Sequence, residues 1–229
     1  MMGKSARGRP AVLACLLLFA AGCRPSRVLL SPVPDRIDAV EGYASLTITG
    51  DQGTDRTKFS FVFQIPERGR IEVSDFLGRT LYQIIINDQG AYFVVPSKKV
   101  YWQGPEEEII DKFFGFGLAL DEIVFLISGQ RFESEEESPL SAWTLSRDGR
   151  GRVVAGQRNE LRFSVLEFIE GTGLAETLEY EHPLNRGKMR ILRMAFNPAV
   201  NPRAFETPFL GRFSRKSWEE IQEIFRDEN

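Results

Sequence analysis

Histidine and cysteine, which often act in acid–base catalysis and as metal ligands, are scarce in this chain of 229 residues. His182 is the only histidine, so neither a multi-histidine metal site nor a histidine-based catalytic triad can be assembled. Glu179 and Glu181 imitate a catalytic carboxylate pair, but two acids on the polar side of an amphipathic strand are ordinary surface residues. The glycines at 115–117 and 149–151 lack the lysine and helix context of a phosphate loop. The sequence therefore predicts a protein that is not an enzyme and holds no cofactor or metal, with an envelope hydrolase acting through His182 as a distant alternative.

One cysteine stands where a covalent modification is expected. Three basic residues precede an apolar run at 11–21, which is about half the roughly 20 residues of a spanning helix and so predicts a signal peptide. The AAGC that ends at Cys23 resembles the bacterial lipoprotein cleavage box, in which the cysteine becomes the acylated first residue. Cys15 lies in the removed segment, so the mature chain has one thiol and no internal disulfide. Ordinary secretion with an accidental free thiol is the less favoured interpretation.

The predicted cleavage also sets the charge and the compartment. Removal of residues 1–22 takes away three positive charges and no negative one, so the formal net charge falls from −3 to −6. An acidic protein is not expected to bind nucleic acid. Sorting rules of bacterial lipoproteins associate a residue other than Asp after the cysteine with the outer membrane, and Arg24 stands there. We expect a lipid-anchored protein at the outer membrane that faces the periplasm.

Composition divides the rest of the chain into a tether, one folded domain and an extension. Residues 23–40 form the acylated N-terminus and a Pro-rich tether. Residues 41–200 carry most of the regular periodicity and predict a single domain. Residues 201–229 begin with Pro-rich sequence and form a C-terminal extension. The acidic segment at 133–138 is interpreted as a solvated loop.

Period-two alternation is the main structural signal of the domain. In KFSFVFQI, phenylalanines at 59, 61 and 63 share one face while polar residues take the other, as in a half-buried strand. About eleven strands follow from such patterns and from the turn residues between them. They are 43–49, 58–65, 69–75, 80–87, 90–95, 99–102, 142–146, 152–155, 159–168, 175–181 and 188–197. The fold class is therefore mainly β (α+β), a large curved sheet or barrel.

Two helical segments complete the pattern. Residues 105–129 start with Pro105 and three glutamates, continue with apolar residues at helical spacing, and predict two short helices across the sheet, interrupted by Gly115 and Gly117. Near the end of the chain, Ser217 and Glu220 have the spacing of a capping box. The C-terminal helix that follows has an apolar face of Trp218, Ile221 and Phe225. We expect this face to pack on the body, with docking to a partner as the alternative.

The order of these elements resembles the LolB outer-membrane lipoprotein receptor and its LolA-like relatives. The resemblance covers about residues 43–130. It is carried by FSFVFQIP, IEVSDFLGRTLYQIIINDQGAYF and EEEIIDKFFGFGLALDEIVFLISGQ. It implies a half-open antiparallel barrel with short helices as a lid. Its hydrophobic interior would accept the acyl chains of lipoproteins from a LolA-like periplasmic carrier and help to insert them into the outer membrane.

Strand alternation and the apolar residues at helical spacing predict which side chains line such an interior. The predicted acyl-cavity lining comprises Phe59, Phe61, Phe63, Ile71, Val73, Ile110, Phe113, Phe114, Ile123 and Leu126. Sequence alone does not separate an open cavity from an interior filled by these side chains. A filled barrel would favour the alternative function, a structural or assembly lipoprotein of an envelope complex with no lipid cargo.

A loop with an apolar tip is the second candidate site. SDFLGR separates two strands and carries Phe76 and Leu77 where turns favour polar residues or glycine. In the resembled family a loop between early strands exposes a leucine needed for insertion, and Leu77 matches that position. Phe76 stands where the family more often has proline. We expect Phe76 and Leu77 to form a membrane-insertion loop; the alternative is a small cluster folded under the sheet.

Overall fold

The computed structural model describes residues 28–34, 36–51, 53–65, 67–128 and 141–226. The predicted signal peptide, Cys23 and the acidic segment at 133–138 lie outside these residues. Within them, no helix has the length and apolar character needed to cross a membrane.

Thirteen strands of the described residues form one sheet. Their bounds are β1 Leu29–Leu30, β2 Ala39–Gly50, β3 Gly53–Gln64, β4 Arg68–Ser74, β5 Thr80–Asn87, β6 Gly90–Val95, β7 Val100–Gly104, β8 Thr144–Arg147, β9 Val153–Arg158, β10 Leu161–Phe168, β11 Ala175–His182, β12 Asn185–Phe196 and β13 Ser214–Arg215. The eleven predicted strands are β2 to β12. The two-residue strands β1 and β13 pair in parallel with β12 and β7 and were not expected.

The sheet runs in the order β13-β7-β6-β5-β4-β3-β2-β12-β11-β10-β9-β8. Within the described residues, the two end strands β13 and β8 do not pair with each other, so the sheet does not close, which confirms the half-open, mainly β architecture. All neighbours from β7 to β8 along this path are antiparallel. Hairpin loops therefore alternate between the two ends of the sheet.

Two helices pack on the concave face, α1 (Glu106–Phe114) and α2 (Leu120–Ser128). The first turn of α1 holds three glutamates, which favour a helix start, and Gly115 ends the helix with φ +81°. The predicted interruption at this glycine is therefore confirmed. Connection 115–119 brings α2 back across the sheet.

The C-terminal extension wraps around one edge of the sheet. Short 3-10 turns at Pro202–Phe205 and Pro208–Arg212 lie on the outer face, where Leu210 packs on Tyr92 and Val94. Strand β13 then covers the edge of β7, and helix α3 (Trp218–Arg226) follows on the concave face. The predicted capping box of α3 is confirmed.

The capping box of α3 has both of its reciprocal hydrogen bonds. The backbone N–H of Ser217 donates to a Glu220 carboxylate oxygen at 2.8 Å, and the N–H of Glu220 donates to Ser217 Oγ at 3.3 Å. The expected packing of α3 on the body is also confirmed, since Ile221 is fully buried.

Candidate functional site

The ten predicted lining residues meet between the sheet and the two helices. Those of β3 and β4 point to the concave face, and those of α1 and α2 lie opposite them in one hydrophobic core. The ring of Phe59 contacts those of Phe113 and Phe114 on α1, with centroid separations of 5.2 and 6.2 Å and nearly perpendicular planes. Phe61 stacks on Phe63 at 5.2 Å. All ten therefore lie in this core, and their role in lining an acyl cavity stays a prediction.

This interior is filled by side chains. Each of the ten is no more than 7% exposed, so its surface contacts protein atoms. Two open clefts among the described residues have volumes of about 450 and 760 Å³, and none of the ten lines either of them. Both clefts include Asn87 and Asp88, at the opposite end of β5 from Phe76 and Leu77. A ligand between the sheet and the helices would require α1 or α2 to move outward.

A buried ion pair connects α2 to the far side of the sheet. Glu122, only 3% exposed, accepts hydrogen bonds from Arg158 Nη1 at 2.5 Å, Trp143 Nε1 at 2.8 Å and the Ala119 N–H at 2.9 Å. Arg158 also donates from Nη2 to the Gly117 carbonyl at 3.0 Å. Because Glu122 is buried, loss of Arg158 would leave its carboxylate without a charge partner, so this contact helps to hold α2 in place.

Sequence reasoning missed this pair. The available signal was the acidic pair Asp121 and Glu122 at the start of a helix that continues with five apolar residues, 123–127. Its partner Arg158 is 36 positions away and is brought close only by the sheet.

The loop between β4 and β5 is built around the carboxylate of Asp75. One oxygen accepts the N–H groups of Leu77 and Arg79 at 2.8 and 2.9 Å, and the other accepts Arg79 Nε at 2.7 Å. The backbone closes through Gly78 N–H to the Asp75 carbonyl at 3.0 Å and Asp75 N–H to the Arg79 carbonyl at 2.9 Å. Gly78 has φ +78°, which favours glycine. The hydrogen bonds from the backbone and side chain of Arg79 hold the pKa of Asp75 below its usual range.

The apolar residues of this loop point to solvent. Phe76 is 93% exposed and Leu77 is 64% exposed. The alternative in which they fold under the sheet is therefore wrong. The fixed loop backbone presents both side chains at one end of the sheet.

A second loop, between β8 and β9, has the same construction. One oxygen of Asp148 accepts the N–H groups of Arg150 and Arg152 at 2.9 and 3.0 Å, and the other accepts Arg152 Nε at 2.8 Å. The backbone again closes through Gly151 N–H to the Asp148 carbonyl and Asp148 N–H to the Arg152 carbonyl, both at 2.9 Å. Gly151 has φ +76°. The side chain of Arg152 holds the pKa of Asp148 below its usual range.

These two five-residue loops, 75–79 and 148–152, differ in location and in their exposed residues. Strands β4 and β8 are seven antiparallel steps apart, so their loops lie at opposite ends of the sheet. At the two positions after the aspartate, the first loop has Phe-Leu and the second has Gly-Arg. We call them the apolar loop and the polar loop.

The residues considered for acid–base chemistry do not converge. His182 is half-buried, and its Nδ1 has no hydrogen-bond partner within the described residues. Glu181 is exposed and pairs with Arg186. In the part of the chain that the structure describes, no three His, Cys, Asp or Glu side chains come together to hold a metal ion.

Comparisons with known proteins found solved structures of similar fold but no match by sequence. No protein-family model and no curated protein matches the sequence. A candidate outer membrane lipoprotein-sorting protein domain from Vibrio parahaemolyticus superposes with a TM-score of 0.52 at 9% identity, over 76% of this chain and 92% of that chain. A DUF1329 family protein from Desulfovibrio piger gives 0.52 at 10% identity, over 77% and 92%. A LolA superfamily protein from Nitrosomonas europaea gives 0.46 at 10% identity, over 77% and 94%.

The first two of these structures, with TM-scores of 0.52, confirm at the level of the fold the architecture that the order of elements predicted. Identities of about 10% carry no ligand from one chain to another. What this protein binds must therefore be argued from its own residues.

Proposed function

We propose that this protein is a lipid-anchored receptor that accepts the acyl chains of lipoproteins and helps to insert them into the outer membrane. Cys23 carries the acyl anchor, and the body faces the periplasm. Acylated lipoproteins arrive from a LolA-like carrier and enter the interior between the sheet and helices α1 and α2. The role is non-catalytic.

The observation that carries this proposal is the apolar loop. The polar loop shows that the same backbone and the same carboxylate scaffold form with Gly149 and Arg150 at the tip. Folding therefore does not require Phe76 and Leu77. Two large apolar side chains held in water on a fixed loop indicate contact with an apolar partner, and a bilayer surface is the partner that an acyl-chain receptor meets.

The free energies of burial assign different roles to the acyl anchor on Cys23 and to the apolar loop. Burial of one leucine contributes about 1.5–3 kcal/mol, whereas an acyl chain contributes roughly 0.8 kcal/mol per methylene, on the order of 10 in all. The acyl group on Cys23 therefore holds the protein at the membrane. Phe76 and Leu77 are left to perturb the lipid interface while cargo is released.

The interior supplies the acyl-binding surface when the lid opens. Phe59 of the sheet faces Phe113 and Phe114 of α1, so outward movement of α1 and α2 would expose two apolar walls. The Glu122–Arg158 pair restrains this movement. Acyl chains would replace the contacts that the helices now make with the sheet.

Binding of an environment-sensitive fatty-acid probe tests this proposal. The mature chain with Cys23→Ala is titrated with the probe, and purified acylated lipoprotein is added as competitor. Saturable binding that the lipoprotein displaces is the expected result. A deacylated lipoprotein is the matched competitor and should not displace the probe.

The filled interior favours a second candidate function. An assembly or structural lipoprotein of an envelope complex would use the same sheet with no lipid cargo, and the ring-to-ring packing of the core suits it. In that case the probe would not bind, and the apolar loop would contact a protein partner instead of lipid.

A further inference from the structure

Helix α3 occupies an aromatic groove on the concave face of β5, β6 and β7. The ring of Trp218 lies 5.3 Å from that of Phe93 and 5.2 Å from that of Trp102. At the other end of the helix, the ring of Phe225 lies 6.0 Å from that of Tyr82 and 6.3 Å from that of Phe93. With Ile221 fully buried between them, α3 is an amphipathic helix seated in a groove through its apolar face.

This groove is continuous with the interior under α1. The ring of Tyr82 stacks on Phe93 at 5.0 Å and also contacts Phe113 of α1 at 6.2 Å. Burial raises the pKa of the Tyr82 hydroxyl to about 12. Because Phe113 belongs to the proposed acyl-binding surface, one aromatic wall extends from beneath α1 to beneath α3.

The segment before α3 is attached by different contacts. Leu210 is buried on the outer face, and β13 is fixed to β7 by hydrogen bonds from Ser214 N–H to the Lys99 carbonyl at 2.9 Å and from Lys216 N–H to the Tyr101 carbonyl at 2.8 Å. Helix α3 starts directly after this point. It can therefore leave the groove by rotation about Lys216 and Ser217 while the outer-face segment and β13 stay in place.

We infer that the groove under α3 is a second acyl-chain compartment of the receptor, and that α3 is an internal occupant displaced when a chain enters. This inference rests on the proposed function. The aromatic walls of the groove suit a methylene chain. Helix α3 now occupies the groove with Trp218, Ile221 and Phe225, which are apolar like such a chain. The C-terminal helix thus competes with cargo for part of the site.

Truncation tests the competition. A chain that ends at Lys216 lacks α3 and should bind the fatty-acid probe at least fivefold more tightly than the full mature chain. Addition of a synthetic peptide of residues 216–229 should weaken probe binding to the truncated chain again. Circular dichroism and thermal unfolding establish that the truncated chain is folded.

Variants in the full chain provide a measurement that does not depend on truncation. Ser217→Ala with Glu220→Ala removes the capping box and should tighten probe binding by about two- to fivefold, since a lost cap weakens a helix by that order. Glu223→Ala lies on the exposed face of α3 and should leave binding unchanged. Equal probe binding by the full, truncated and cap variants overturns the inference and leaves the proposed function intact. Absence of probe binding to every form overturns both.

Discussion

The apolar and polar loops are two copies of one structure with different tips. Each begins with an aspartate whose carboxylate accepts two backbone N–H groups and an arginine Nε, and each has glycine at a positive φ in its fourth position. Even the strand register shifts at the same place, between Val73 and Ser74 in one hairpin and between Ser146 and Arg147 in the other.

The comparison separates what the fold needs from what the tip does. Asp75 and Gly78 have counterparts in Asp148 and Gly151, so these residues stabilise the loop backbone. Phe76 and Leu77 have no apolar counterparts, so local folding does not account for them. The molecule is therefore asymmetric along its strands, with an apolar tip at one end and a charged tip at the other.

Exchange of the two tips should have the largest effect. Phe76→Gly with Leu77→Arg copies the polar loop, and we expect transfer of an acylated lipoprotein into vesicles to fall at least tenfold because the side chains that we propose to contact the membrane are gone. Probe binding and thermal stability should not change. Unchanged transfer would show that the difference between the loops has no functional meaning.

The reciprocal exchange is the matched control. Gly149 has open space around its Cβ position and no positive φ, so Gly149→Phe with Arg150→Leu should fold normally. Added to the first variant, it should not restore transfer, because its tip lies at the wrong end of the sheet. Restoration would mean that apolar surface anywhere on the body is sufficient.

Alanine at the two glycines should destabilise both loops to the same extent. Gly78→Ala and Gly151→Ala force a side chain into a left-handed conformation without a steric clash, at about 1–2 kcal/mol each in urea unfolding. Transfer should decrease only for Gly78→Ala, because only that loop presents apolar residues. A clearly unequal loss of stability would indicate that the two backbones are not equivalent.

Asparagine at the two aspartates tests the carboxylate scaffolds. Asp75→Asn and Asp148→Asn remove a charge-assisted hydrogen bond to Arg79 Nε and Arg152 Nε respectively. Amide hydrogen exchange should become faster at Leu77 and Arg79 in the first variant and at Arg150 and Arg152 in the second. If either loop kept its full protection, its carboxylate would not be the organising group.

Acidification should give the smallest effect and act on both loops together. The pKa values of Asp75 and Asp148 are lowered in the folded protein. Their stabilising contribution is therefore present above the ordinary carboxylate pKa of about 3.9 and lost as the pH falls through the lowered values. Amide protection at Arg79 and Arg152 should stay constant from pH 7 to about 4 and decrease below that. A decrease with a midpoint above pH 4 would contradict the assigned direction.

Much of the fold was predictable because its signals are local. Alternation of apolar residues identified β2 to β12, and the Ser217–Glu220 spacing identified the start of α3. The predicted starts of β2 and β3 are too late. For β3 the reason is that Gly53 to Arg56 are all exposed and show no alternation. Strands β1 and β13 are two residues long and exist only because β12 and β7 offer them free backbone groups.

The candidate site was predictable only in part. Leu77 stood out because a leucine is unusual in a turn, and its exposure follows from the Asp75 scaffold. The sequences at 75–79 and 148–152 share a pattern of Asp, two residues, Gly and Arg. That this pattern forms the same loop structure became evident only from the hydrogen bonds. The filled interior depends on how side chains of distant elements pack together, which periodicity does not determine.

A fluorophore placed on each tip tests the central claim most directly. Mature chains with Cys23→Ala carry a single new cysteine, Phe76→Cys or Gly149→Cys, labelled with an environment-sensitive dye. An N-terminal histidine tag holds each chain on vesicles with a chelating lipid, so the result does not depend on acylation. We predict a blue-shifted, brighter dye at position 76 and an unchanged dye at position 149. A dye at 76 that stays fully in water, or an equal shift at both positions, would contradict the account.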